Sequence, residues 1–295
     1  MNDKEAGFLL LSSHLGNPAR KPLTTAQLRE LGNRMRQMDP PKEDRQLEIM
    51  DLLALGYGRE MAKRIIALLD EEELLKYYVS RGAKLGCVPV TRVSEAYPLL
   101  LRQRLGLDSP GCLWAKGDLS LLKTPCISLV GSRDIRQQNR EFAAAVGKWA
   151  AREGYTLVSG NARGADRTAQ NACLSAGGRV ISIVADELAR EPLQQRVLYL
   201  SEDGFDEAFS SQRALSRNRC IHALGQLVLV AQAEVNKGGT WDGTAKNLRF
   251  GWSSVACFRD GSEASLELEQ MGAYLIGIED LQELQITSES EYRFL

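Results

Sequence analysis

Residues 126–166 read CISLVGSRDIRQQNREFAAAVGKWAAREGYTLVSGNARGAD, and they decide the fold. CISLV (126–130) is an unbroken apolar run of strand length, as a strand covered on both faces requires. Residues 135–153 place apolar positions at helical spacing and stop at Gly154. YTLVS (155–159) is a second short strand, followed at once by a glycine-bearing loop. Strand, helix and strand joined by short links make a parallel crossover unit. The alternation continues outward. DRTAQNACLSA (166–176) reads as a helix capped by Asp166 and stopped by Gly177-Gly178, and RVISIVA (179–185) as a third strand. After a less regular stretch come a helix near 215–224, strand QLVLVA (226–231), helix 241–250, strand SSVACF (253–258), helix 264–271 and strand YLIGI (274–278). The pattern predicts an α/β fold, a doubly wound parallel sheet over residues 126–295.

Upstream the period changes. TTAQLRELGNRMRQM (24–38) is helical with Thr24 or Thr25 as cap, and Asp39-Pro40-Pro41 ends it. LEIMDLLALGYGREMAKRIIALLD (47–70) is two amphipathic stretches broken by Gly56-Tyr57-Gly58, a hairpin of helices. Residues 1–85 therefore read as a small helical domain. Residues 86–125, with turn signals at Tyr97-Pro98, Ser109-Pro110-Gly111 and Lys116-Gly117-Asp118, read as a connecting segment.

Composition narrows the function. The chain has 295 residues, 44% of them hydrophobic and 25% charged, which suits a globular protein and argues against wholesale disorder. No apolar run approaches a membrane span, and charges on both sides of FLLL near the start argue against a signal peptide, so the sequence predicts a cytoplasmic protein without a membrane partner. Six cysteines, none in a CxxC pair, read as small buried hydrophobes in a reducing compartment. Only two histidines are present, His14 and His222, which leaves little material for a zinc site or a serine-hydrolase triad. The net charge of -1 excludes a globally basic nucleic-acid binder. It conceals an asymmetry: residues 131–170 hold seven Lys/Arg against four Asp/Glu, whereas 260–295 hold one Arg against nine Asp/Glu.

In a doubly wound sheet, ligands bind beyond the carboxyl ends of the strands. Three of those ends carry glycine beside a cationic or hydroxyl side chain: Gly131-Ser132-Arg133, then Gly160-Asn161-Ala162-Arg163-Gly164, then Lys237-Gly238-Gly239-Thr240. Each precedes a helix, whose free N-terminal amides favour an anion. Neither the Walker pattern nor G-x-G-x-x-G is present, so an ATPase loop and a standard dinucleotide fingerprint are both unsupported. Arg213, Arg217, Asn218 and Arg219 cluster around a helix start, where the dipole disfavours cations and so points to bound anions or paired carboxylates. Trp241 and Trp252 flank the helix after the last glycine loop and either could stack a base, with core packing the better reading for Trp252.

In order along the chain, Val130-Gly131-Ser132-Arg133, Val158 to Asp166, Ser201-Glu202, Ser216-Arg217-Asn218-Arg219 and Gly238-Gly239-Thr240 resemble the motifs of the DNA-processing protein A (DprA/Smf) family. Tyr97-Pro98-Leu99-Leu100-Leu101 and LWAKGDLSLL (113–122) resemble the segment before its Rossmann-like domain, and the N-terminal helices resemble its SAM-like or helix-hairpin-helix domain; the likeness runs over roughly residues 8–280. The resemblance implies an extended Rossmann-like domain that binds single-stranded DNA without catalysis, metal or cofactor. It implies a recombination mediator that protects incoming strands in DNA uptake and loads a RecA-type recombinase, and a homodimer. Together with the loops read above, it makes the expected site Gly131, Ser132, Arg133, Gly160, Arg163, Gly164, Arg217, Asn218, Arg219, Lys237, Gly238, Gly239 and Thr240. The chain departs from the family pattern at Gln170 in place of a histidine, in lacking a Tyr-Pro element before Ser201-Glu202 and in the loop NKGGTWDGT, and no winged helix is expected after residue 280. Two other readings compete: a Rossmann-like sensor of a nucleotide or nucleotide-derived signal in a defence or mobile-element system, and a nucleoside-monophosphate phosphoribohydrolase echoed in Gly238-Gly239-Thr240. The latter lacks the glutamate its loop requires, since Ala245 and Lys246 follow.

Overall fold

The computed structural model describes residues 1–284. Five helices open the chain: α1 (Asp3–Ser12), α2 (Thr25–Met35), α3 (Ile49–Ala54), α4 (Arg59–Leu69) and α5 (Glu72–Lys84). The first two start on capping boxes. The Asn2 side chain accepts from the Glu5 amide and Glu5 returns to the Asn2 amide; Thr24 and Gln27 repeat the exchange. Next come β1 (Cys87–Thr91), α6 (Leu99–Leu105) and β2 (Cys112–Gly117). The alternating part follows as β3 (Cys126–Val130), α7 (Gln137–Arg152), β4 (Thr156–Ser159), α8 (Ala165–Ser175), β5 (Arg179–Ile183) and β6 (Val197–Ser201). It continues with α9 (Ser211–Ser216), α10 (Asn218–Leu224), β7 (Leu227–Val230), α11 (Gly238–Phe250), β8 (Ser254–Phe258), α12 (Glu263–Gln270) and β9 (Tyr274–Ile276).

All nine described strands form one sheet in the order β1-β2-β6-β5-β4-β3-β7-β8-β9. The seven strands from β6 to β9 run parallel, and β2 and β1 add an antiparallel edge. The sheet is therefore mixed rather than wholly parallel. Residues 86–125, expected as a connecting segment, supply two strands of it and helix α6. β6 lies in the stretch read as irregular. The helix expected at 215–224 is two helices meeting at Arg217, and the one expected at 241–250 begins at Gly238. Residues 285–295 of the domain expected to run to 295 lie outside the described residues.

Both faces of the sheet are covered. On one, Ile127, Leu129 and Leu157 pack with Phe142, Val146 and Trp149 of α7, and the same core runs on into Leu9, Leu10 and Ile65 of the N-terminal helices. The join is aromatic: Tyr78 of α5 meets Trp114 at 5.2 Å and Phe205 at 4.7 Å between ring centroids, and its hydroxyl donates to Asp206 Oδ1 at 2.7 Å. On the other face, Val130, Val158 and Ile181 pack with Leu101, Ile221 and Trp241. The six cysteines are free and buried. Among the described residues no helix is long and apolar enough to cross a membrane.

Candidate nucleic-acid interface

The strand order reverses at β3. From there β4, β5 and β6 are laid down on one side, and β7, β8 and β9 on the other. The loops that leave β3 and β7 therefore diverge to opposite faces and leave a crevice between them. A cavity of about 410 Å³ occupies this crevice. Its wall includes Gly131, Ser132 and Arg133 after β3, Ala162 and Asp166 after β4, Ala214, Leu215, Arg217, Asn218 and Ile221 from α9 and α10, and Gln232 to Thr240 in part after β7.

The loops are fastened to one another. The Ala165 amide donates to the Ser132 carbonyl at 3.1 Å, and the Ser132 amide donates to the Gln232 carbonyl at 3.1 Å. Gln232 also bridges with its side chain, accepting from the Arg136 amide at 2.9 Å and donating to the Asp134 carbonyl at 3.0 Å. Gly164 makes the approach feasible. Its φ is +84°, and a Cβ there would stand 2.5 Å from the carbonyl oxygens of both Ser132 and Arg133. Asp166 does not cap α8 as expected; Gly164 holds the N-cap position. The Asp166 carboxylate instead accepts from the Gly160 amide at 3.0 Å and the Ala162 amide at 3.3 Å, which fixes the loop after β4. Helices α7, α8 and α11 all start without a side-chain cap; the first amide of α8, that of Ala165, is already taken by the Ser132 carbonyl, so it is α7 and α11 whose first amides remain open to an acceptor.

Arg217 is the innermost cation. It is 7% exposed, and its Nε is buried without a hydrogen-bond partner. The guanidinium lies directly on Gly160, where any Cβ would collide with it. Burial lowers the Arg217 pKa, against the pull of Asp166, and burial raises the Asp166 carboxyl, against the pull of Arg217. Arg133 and Arg163 are exposed, and neither forms an ion pair among the described residues. Lys237 lines the cavity but pairs with Glu234 at 2.6 Å. The result is a concave wall with cations at its base and rim, together with free amides of the α11 first turn at Gly238, Gly239 and Thr240.

Not every expected residue is there. Arg133, Gly131, Ser132, Arg217, Asn218, Lys237, Gly238, Gly239 and Thr240 line the cavity; Gly160, Arg163, Gly164 and Arg219 do not. Gly160 and Gly164 act from behind, as described, and Arg163 stands on the neighbouring loop. Arg219 is turned away: it pairs with Glu202 at 2.8 Å and donates to the Asp108 carbonyl at 2.8 Å. Arg213 is also structural, with donations to the carbonyls of Ala185, Glu207 and Ala208 and to Ser201 Oγ. Asn218 donates to the Gly239 carbonyl at 3.0 Å and so ties α10 to the glycine loop. Trp241 is buried and Trp252 stacks on Phe250, 5.7 Å between centroids; neither lines the cavity. Gln232 was not anticipated, although its position as the first polar residue after an apolar strand marked it. Among the described residues no group of three or more His, Cys, Asp or Glu could hold a metal.

Comparison with known proteins gives a consistent picture. The model of a family described as DNA recombination-mediator protein A matches residues 89–282. DNA processing protein DprA of Streptococcus pneumoniae is 32% identical over 182 residues, which is 57% of this chain and 64% of that protein, so the match spans less than two thirds of the relative's length. The X-ray structure of the S. pneumoniae protein aligns with a TM-score of 0.72 at 24% identity, covering 96% of this chain and 98% of that one. DNA processing protein A from Helicobacter pylori, whose structure was described for its single-stranded DNA binding mode, aligns with a TM-score of 0.55 at 24% identity over 67% of this chain and 93% of that one. At this identity the structural likeness speaks for the fold.

Proposed function

The chain belongs to the DNA recombination-mediator protein A family, the DprA/Smf proteins, and from that premise we propose that it is a non-enzymatic binder of single-stranded DNA. The observation that carries the reading is the buried Arg217, its Nε without a hydrogen-bond partner, at the base of a crevice whose rim holds Arg133. A buried guanidinium N–H without an acceptor is costly, and the attraction of nearby Asp166 does not supply that hydrogen bond; an anion in the crevice would. Phosphate oxygens from a flexible strand would do so, held by the first amides of α11 and by Arg133, with Arg163 and Lys237 taking flanking phosphates. Such contacts fix the backbone without reading sequence. Strand protection, loading of a RecA-type recombinase, action as a homodimer and residence in the cytoplasm belong to the same proposal.

The test is an anisotropy titration of a labelled oligonucleotide. Binding at low salt, weakened by Arg133→Ala with Arg163→Ala, is the expected result. A second reading draws on the size of the crevice, since about 410 Å³ would also suit a mononucleotide. Thermal stabilisation by a mononucleotide with no response to oligonucleotides would favour that sensor reading instead.

A further inference from the structure

Beside the crevice stands an aromatic side chain that the phosphate chemistry does not use. Phe209 is 50% exposed, on the segment between β6 and α9. Its ring lies 5.9 Å from the Arg133 guanidinium carbon. Two residues on, Ser211 lines the crevice, and Leu215, 49% exposed, lines it too. The rim therefore has two chemistries facing one another: Arg133 on the β3 side and exposed apolar surface on the α9 side.

Exposed phenylalanine on a mobile loop would mean little. This one is pinned. The carbonyl of Ala208 just before it accepts from Arg213 Nη1 at 3.0 Å, as does that of Glu207 at 2.8 Å. Ser210 just after it is the N-cap of α9 and accepts from the Arg213 amide at 3.0 Å. Arg213 is in turn held by Ser201 Oγ and the Ala185 carbonyl. The ring is thus kept at the surface by fixed backbone on both sides, at the entropic cost of leaving apolar area in water.

We propose that Phe209 is a stacking platform for a nucleobase of the strand whose phosphate Arg133 holds. The inference rests on the single-stranded DNA reading above and adds to it the residue that engages the bases. A base whose phosphate sits against Arg133 projects across the rim, and the α9 side offers it an aromatic face. Duplex DNA keeps its base faces stacked and paired, so only an unpaired strand can use the platform. Stacking accepts any base, because each has a π-face.

The experiment pairs two oligonucleotides of equal length, one intact and one with abasic sites throughout, against wild type, Phe209→Ala and Phe209→Trp. The expected result is that Phe209→Ala weakens the intact oligonucleotide by roughly fivefold to a hundredfold and changes the abasic one by less than about twofold. Phe209→Trp keeps the wild-type preference for bases, and its indole fluorescence is quenched by the intact oligonucleotide alone. Equal weakening of both ligands by Phe209→Ala would mean that the ring only orients Arg133, and would overturn the proposal, as would no weakening of either. If wild type binds neither oligonucleotide at low salt, the single-stranded DNA reading itself has failed and the platform falls with it.

Discussion

Arg217 and Arg219 are two residues apart in one motif, yet they do opposite things. Successive helical residues turn by about 100°, so positions two apart point to nearly opposite sides. Arg217 is driven into the crevice and Arg219 outward to Glu202. That division was available from helical periodicity, whereas the unsatisfied Nε of Arg217 was not. Gly160 is the other half of the arrangement. Alanine there would displace the tip of the flexible Arg217 side chain rather than rigid backbone. Gly160→Ala should therefore change unfolding free energy by less than about 1 kcal/mol while losing oligonucleotide affinity by about tenfold or more, the scale of one hydrogen bond to a charged group. Urea unfolding and anisotropy on the same variant check both halves. His222 gives a pH signature. Burial holds its pKa down at about 3, against 6.5 when free. Below pH 6.5 the unfolded chain takes up a proton that the folded chain refuses until about pH 3. Stability should thus fall as pH drops through that window, by about 1.4 kcal/mol per pH unit from this group, and contribute nothing at neutral pH. His222→Gln should flatten the wild-type slope by that amount in denaturant titrations between pH 6 and 4.

At the scale of elements, the crevice exists because the loops after β3, β4 and β7 are tied together. Gly164 is where two of them touch, with a left-handed backbone and two carbonyl oxygens in the space a Cβ would fill. Gly164→Ala cannot be relieved by moving a side chain. It should destabilise the fold by about 2 kcal/mol or more and weaken oligonucleotide binding as well, the reverse of the expectation for Gly160. The strands that build this site were legible in the sequence because β3, β4, β5 and β7 are central and covered on both faces, which makes them short continuous apolar runs. The strands that were missed have physical excuses. β1 carries Pro89, which demotes a run to an edge strand, and an edge strand is what it forms. β2 includes Lys116, buried and hydrogen-bonded to the Ala189 carbonyl at 2.7 Å, a polar residue that breaks the apolar reading. β6 is wholly buried, but it follows a long irregular segment rather than a helix, so the alternation that identified the others was absent.

For the whole molecule, a net charge of -1 would discourage any nucleic-acid reading taken alone. What counts is placement: Arg133, Arg217 and Lys237 line one crevice, and Arg163 stands on the adjoining loop. The family likeness of the motifs gave this gathering its meaning, and the parallel topology gave its location, but which arginines face inward required side-chain packing. The account's central claim is that these cationic turns jointly hold a polyanionic strand, and the salt dependence of binding tests it most directly. Four phosphate contacts on a single strand at roughly -0.7 each predict a slope of log affinity against log salt of about -3. Removing two of them with Arg133→Ala and Arg163→Ala should halve it to about -1.4. A slope unchanged by that double substitution, or no binding even at low salt, would contradict the account.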